Sequence, residues 1–340
     1  MYTFCVYIFA CYSDVIMIKA ITYPSALKYW LYEDYPVLNA GIAPALSSNE
    51  RQDKGAVPKQ YLEAAAMAGL NLPLHVMVPK ASVRIHNNSD LYCHVLSSKL
   101  PSGSFVDLGN GVRIISPELC FLLAAQALTF AQLVLLGCDL CAIYARDPGE
   151  IAGQRRREPV TTAADINNYL QKVKKVDGIN KARQAAKYIL DRSNSPRESI
   201  LAVLMNLPIS RGGYRLLEPN LNYDVGLNEA GARMLGRPSC CCDFVWSEQK
   251  VVAEYDSNAT HLEVDQHYKD KRRFNALILS GQTVISITNE HFASLKQLDE
   301  LFRLLRKTLG MRAEKEAFEK YKRLRMQVVR ELLTFRYSFA

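Results

Sequence analysis

From Ser195 onward the apolar positions follow two rhythms. "SPRESILAVLMNLP" (Ser195 to Pro208) carries a helical repeat, with Ser195 at the cap and Glu198 three residues on, the reciprocal pattern of a capping box. "LNYDVGL", "CCDFVW" and "VVAEYD" are short apolar runs with turn residues between them, which predicts three strands. "HLEVDQHYKDKRRFNALILSG" (His261 to Gly281) returns to helical spacing and ends on glycine. "TVISIT" predicts a strand, and "HFASLKQLDELFRLLRKTLG" a closing helix. The predicted order is helix, three strands, helix, strand, helix.

Upstream the pattern is weaker. Residues 1 to 75 mix short β-like runs with a helical patch, "PKQYLEAAAMAGL". Strand-like runs follow, from "LPLHVMVP" to "GVRIISPE". The stretch from Cys120 to Ala145 has the length of a membrane span, but Gln126, Gln132 and Asp139 interrupt it, and "SPE" at Ser116 caps a helix start. Two packed core helices are predicted instead. "ARDPGEIAGQRRREPVTT" reads as a polar hinge before two amphipathic helices, and a Ser-Asn-Ser-Pro break follows Asp191. The fold class expected is α/β (α+β). Its divisions are an N-terminal segment (1–75), a mixed domain (76–190), a strand-rich domain (191–310) and a basic amphipathic C-terminal helix (311–340).

Composition adjusts this picture modestly. The 340 residues hold 42 Lys and Arg against 34 Asp and Glu, so the net charge of +8 favours an anionic partner, though only mildly. Nine cysteines, odd in number and irregularly spaced, argue against a disulfide scaffold and for a reducing cytoplasm. Cys138 and Cys141 have zinc-knuckle spacing but lack a second pair, and Cys240 to Cys242 read as small buried hydrophobes. The apolar N-terminus opens without basic residues or a clear cleavage site, so it makes a poor signal peptide, and no membrane partner is expected. Ten basic and four acidic residues lie between Arg303 and Glu331, where Phe318, Tyr321, Leu324, Val328 and Leu332 mark the face of a helix docking on the body.

The chemistry lies in the acids. With Ser247 to Lys250 as a four-residue hairpin loop, Trp246 pairs with Val251 and Asp243 falls opposite Glu254. Asp256, two residues on, points to the same face. Like charges placed opposite each other repel, and a divalent cation converts the repulsion into coordination. Solvent-facing strand ends, or a register slipped by one residue, account for the same pattern without an ion. His261 is a general-base candidate beside such a cluster, or a surface or capping residue. Lys269, Lys271, Arg272 and Arg273 offer cations for phosphates or simply a solvated face.

Glu198, Asp243 in "CDFVW", Glu254-Tyr-Asp256, His261 and "KDKRRFNALILSGQTVISIT" together resemble the PD-(D/E)XK nuclease superfamily, in the branch related to very-short-patch-repair (Vsr-like) endonucleases. The resemblance covers about residues 195 to 310. It implies an α-β-β-β-α-β core, Mg²⁺ or Mn²⁺ held by Asp243 and Glu254, and nucleic acid, DNA above all, as the partner. It further implies that Asp256 and His261 surround the attacking water, that Asp270 supports His261, and that Glu198 is the helix glutamate. Two departures stand out: Asp256 occupies the place of the superfamily lysine, and Ser257 that of a common glycine. Residues 72 to 190 resemble, more weakly, the AbiEi-like antitoxin family, which implies the alternative of a non-catalytic, DNA-binding regulator that keeps a nuclease fold. A structural role within a phage-defence complex is a third expectation.

Overall fold

The structure is a computed structural model, and it describes residues 20–32, 70, 72–84, 86–87, 89–109, 112–147, 150, 153–256 and 264–337. The helical patch "PKQYLEAAAMAGL", apart from Leu70, and the apolar N-terminus up to residue 19 lie outside them. The fold is mixed α and β, with eleven α-helices and three sheets among the described residues.

The first half opens with β1 (Ala20–Ile21) and α1 (Ser25–Tyr32), followed by β2 (Leu74–Val78), β3 (Leu91–Val95), β4 (Phe105–Gly109) and β5 (Val112–Ile115). The five strands form one sheet in the order β3-β2-β1-β5-β4. The N-terminal segment therefore supplies the central strand of the sheet, and β2 and β5 pair to either side of it. Next come α2 (Pro117–Ala124) and α3 (Phe130–Leu140), which pack against each other and against α1. Ser116 caps α2 by accepting from the Leu119 N–H, and Thr129 with Gln132 forms a full capping box on α3. The long apolar stretch is thus two buried helices, and no described helix is long and apolar enough to cross a membrane.

The expected hinge is instead partly a hairpin, of β6 (Tyr144–Arg146) and β7 (Gln154–Arg156). Its arginines have a structural use. Arg155 Nη2 donates to the Tyr32 carbonyl at 2.7 Å and Arg157 Nη1 to the Trp30 carbonyl at 2.6 Å. These are carbonyls of the last turn of α1, which have no partner within the helix. The amphipathic helices follow as α4 (Ala163–Lys172) and α5 (Ile179–Ala186).

The second half runs through α6 (Pro196–Asn206), β8 (Asn220–Gly226), α7 (Glu229–Leu235), β9 (Ser239–Trp246), β10 (Val251–Asp256), α8 (Val264–Leu279), β11 (Thr283–Thr288) and α9 (Leu295–Thr308). The sheet order is β11-β10-β9-β8, with β10 and β11 parallel and joined through α8, and the other pairs antiparallel. The predicted order holds with one addition, α7, between the first two strands. Its Asn228 cap and left-handed Gly236 are ordinary boundary signals that the strand-like reading passed over. The closing helix starts later than predicted: residues 289–292 form a 3₁₀ turn, and Ser294 caps α9.

The C-terminal basic segment forms two helices, α10 (Lys315–Lys320) and α11 (Lys322–Thr334), and α11 packs on α3 and α6. Phe318, Val328 and Leu332 are buried. So is Arg325, at 0% exposure; it donates from Nε to Asp299 Oδ1 at 2.8 Å and from Nη2 to the Phe318 carbonyl at 2.9 Å. One hydrophobic cluster extends from Ala20 to Tyr337 and draws on both large sheets. A smaller one, of Val225, Cys240, Cys242, Val245, Val252 and Leu277, lies between the second sheet and α8.

Candidate functional site

The two clusters reveal which way each strand faces. On β10, Val251 and Ala253 belong to the large cluster and Val252 to the small one, so Glu254 projects toward α8. On β9 the alternation changes phase: Cys240, Cys242 and Val245 face the small cluster, Phe244 and Trp246 the large one. The change falls at Asp243. Across the ladder, Tyr223 pairs with Cys242 and Leu221 with Phe244, which leaves Asn222 opposite Asp243. Asn222 has φ of 46°, a left-handed backbone that asparagine tolerates better than most residues. The distortion turns Asp243 to the α8 side, the face it shares with Glu254.

The expected register is present as far as it can be followed. Val251 pairs with Trp246, Val252 with Val245 and Ala253 with Phe244. Continued by one step, the register would pair Glu254 with Asp243, and there the ladder opens. Asp243 Oδ2 accepts from the Tyr255 N–H at 2.8 Å, so a side chain takes over the backbone bond where the strands part. β10 continues through Asp256 along β11, pairing with Thr288.

Arg273, on α8, closes the other side. Its Nη2 lies 2.8 Å from both Glu254 oxygens and donates to the Cys241 carbonyl at 2.6 Å. Its Nε donates to Cys240 Sγ at 3.1 Å. The Glu254 and Arg273 side chains are 18% and 31% exposed, so the pair sits at the rim of the small cluster, within reach of water.

Glu198 reaches the same region from α6. Its Oε2 accepts from the Asn194 N–H and from Asn222 Nδ2, both at 2.8 Å, and its Oε1 accepts from Ser195 Oγ at 2.9 Å. The capping pattern is realised, with Asn194 rather than Ser195 as the backbone donor. Asn222, absent from the sequence reading, both bends β8 and holds Glu198.

Asp243 thus acts on both of the other carboxyls. Burial, and then the charge on Asp243, push Glu254 up to about 8, with Arg273 and the Cys242 thiol pulling against them. Burial and Asp243 likewise push Glu198 up to about 7 against its three donors. Burial holds Asp243 above its usual range, opposed first by the Tyr255 N–H and next by Arg273. Negative charge is crowded here and poorly solvated, and a cation relieves such crowding.

Asp243 and Glu254 are hard oxygen donors, and one or two carboxylates with water suffice for Mg²⁺. The donor chemistry fits that ion. Among the described residues, no group of three or more His, Cys, Asp or Glu is arranged to hold a metal, and both Glu198 oxygens accept hydrogen bonds at the helix cap. Asp256 ends β10 on the same side. Lys271 and Arg272 are exposed on α8, and Arg272 donates to the Met234 carbonyl. His261 and the side chains of Lys269 and Asp270 lie outside the described residues.

The thiols also separate. Cys138 and Cys141 are buried and free, and burial raises both. Cys240 and Cys242 are buried and Cys241 exposed. Cys240 is drawn down to about 6, chiefly by its contact with Cys242 and next by Arg273, while burial opposes the change.

No protein-family model, no curated protein and no solved structure matches this chain.

Proposed function

We propose that the chain is a metal-dependent endonuclease that hydrolyses phosphodiester bonds in nucleic acid, DNA being the first substrate to test. One observation carries this reading: Asp243 and Glu254, half-buried beside each other where β9 and β10 part, share an excess of negative charge next to arginine. Asp243 and Glu254 would hold Mg²⁺ or Mn²⁺, which supplies Lewis-acid activation of the phosphate and a more acidic water. Asp256, on the same strand, would orient or deprotonate that water, with His261 as the companion base and Asp270 its support. Lys269 and Lys271, on α8, would steer the phosphate backbone, and Arg273 has the guanidinium fork that phosphate recognition favours. The element order of the second half, helix, three strands, helix, strand, with α7 inserted after the first strand, supports the likeness to PD-(D/E)XK and Vsr-like nucleases.

The competing reading is an AbiEi-like antitoxin or DNA-binding regulator that keeps the fold without cutting. Arg273 speaks for it, because its guanidinium already offsets the charge of Glu254. Incubating purified protein with plasmid, linear and single-stranded DNA and with RNA, in Mg²⁺ or EDTA, separates the two. Metal-dependent cleavage that disappears in Asp243→Ala supports the nuclease. Cleavage that persists in that variant belongs to another site or a contaminant, and no cleavage of any substrate favours the regulator.

A further inference from the structure

Arg273 makes more contacts with the site than a phosphate-binding arginine needs in the absence of substrate. Its Nη2 sits 2.8 Å from each Glu254 oxygen, a single nitrogen shared by the whole carboxylate. The same Nη2 also donates to the Cys241 carbonyl at 2.6 Å, and Nε donates to Cys240 Sγ at 3.1 Å. All these acceptors come from β9 and β10, the strands that carry the two carboxylates. The positive charge is therefore clamped against Glu254 and also acts on Asp243. That is the role coordination chemistry would give a divalent ion at this point.

The location permits exchange. Arg273 stands on α8, across from the strands, and is 31% exposed. Its side chain can leave toward water without moving the sheet. An arginine outside such a clamp keeps its donors for the solvent or for an anionic ligand.

We propose that Arg273 is an internal counter-ion for the Asp243–Glu254 pair, and that a divalent cation binds there only by displacing it. This rests on the reading of that pair as a metal site. It assigns Arg273 a role before the chemistry: it neutralises the acids while the ion is away and competes with the ion for Glu254. The sign of the effect distinguishes this role from a supporting one. A residue that merely shapes the site weakens metal binding when it is removed, whereas a competitor strengthens it.

The test is Mn²⁺ titration calorimetry on the full chain, in wild type, Arg273→Ala, Arg273→Lys and the double variant Arg273→Ala/Asp243→Asn, with circular dichroism to check folding. Removing one partner of a partly buried ion pair leaves the other uncompensated, so Arg273→Ala should bind Mn²⁺ tighter by on the order of tenfold or more. Arg273→Lys keeps the charge but not the fork, and should fall between the two; it also serves if the alanine variant does not fold. In the double variant the binding should vanish. Wild type that binds Mn²⁺ together with an Arg273→Ala or Arg273→Lys variant that binds no tighter overturns the competition and leaves the metal reading standing. Native-like protein that binds no Mn²⁺ in any variant overturns both. Binding that survives in the double variant places the ion elsewhere and likewise overturns the proposal.

Discussion

Asp243 Oδ2 accepts the Tyr255 N–H at 2.8 Å, so one carboxylate both ends the β9–β10 ladder and holds the neighbouring strand. Charge and hydrogen bonding can be separated at this residue. Asp243→Asn keeps an acceptor for Tyr255 and removes the charge that crowds Glu254 and Glu198. Without metal, the Asp243→Asn variant should therefore melt no lower than wild type, yet it should lose metal-dependent cleavage. Asp243→Ala leaves the Tyr255 N–H without its partner, at a cost of about 1–3 kcal/mol. Urea unfolding of the two variants side by side reads the difference.

Glu198 answers to three donors, and its geometry is that of a cap. Glu198→Ala should destabilise the fold by about 1 kcal/mol or somewhat more, in the range of a lost helix cap. Glu198→Gln retains one acceptor oxygen for the Asn194 and Asn222 donors and should retain cleavage. If cleavage collapsed in the glutamine variant while its melting temperature held, Glu198 would belong to the chemistry.

Asp299 and Arg325 form the buried tie between α9 and α11, and Tyr214 Oη donates to Asp299 Oδ1 at 2.8 Å as a third member. Truncating only Arg325, as in Arg325→Met, leaves a buried carboxylate without its cation and should cost about 3–5 kcal/mol. Replacing both, in Arg325→Met/Asp299→Leu, should recover part of that loss. Denaturant midpoints for the single and double variants give the coupling.

His75 and His94 bring Nδ1 and Nε2 within 2.8 Å of each other across β2 and β3. Burial, and then His94, lower His75 to about 4, and burial, and then Arg84, lower His94. An unfolded histidine titrates at about 6.5. Between those values the unfolded chain binds a proton that the folded chain does not, so this pair's share of the stability is lost as pH falls from about 6.5 toward 4. His75→Leu should flatten that portion of the melting-temperature profile. Equal slopes in the variant and the wild type would rule the pair out as its source.

The second half was largely legible because its signals are local. The Ser195 cap, the glycine after α8 and the hairpin that pairs Trp246 with Val251 each depend on residues a few positions apart, where backbone geometry leaves few choices. The expectation that Asp243 would meet Glu254 follows from that register. The basic C-terminal segment docks through Phe318, Val328 and Leu332, though as two helices and not the single one expected.

Other features depended on partners distant in the chain. Asn222 in the left-handed region shifts the phase of β9 at Asp243, and no alternation in "LNYDVGL" announces it. Arg157 serves a carbonyl 127 residues away, and Arg325 an acid 26 residues away. The sequence determined which side chains carry charge, which runs form strands and where helices begin, since those choices are made between neighbours along the chain. Only the tertiary structure decided which charges lose their water. That depends on which surfaces pack together, and it is why Arg325 is sealed in the core while Arg273 is held against Glu254.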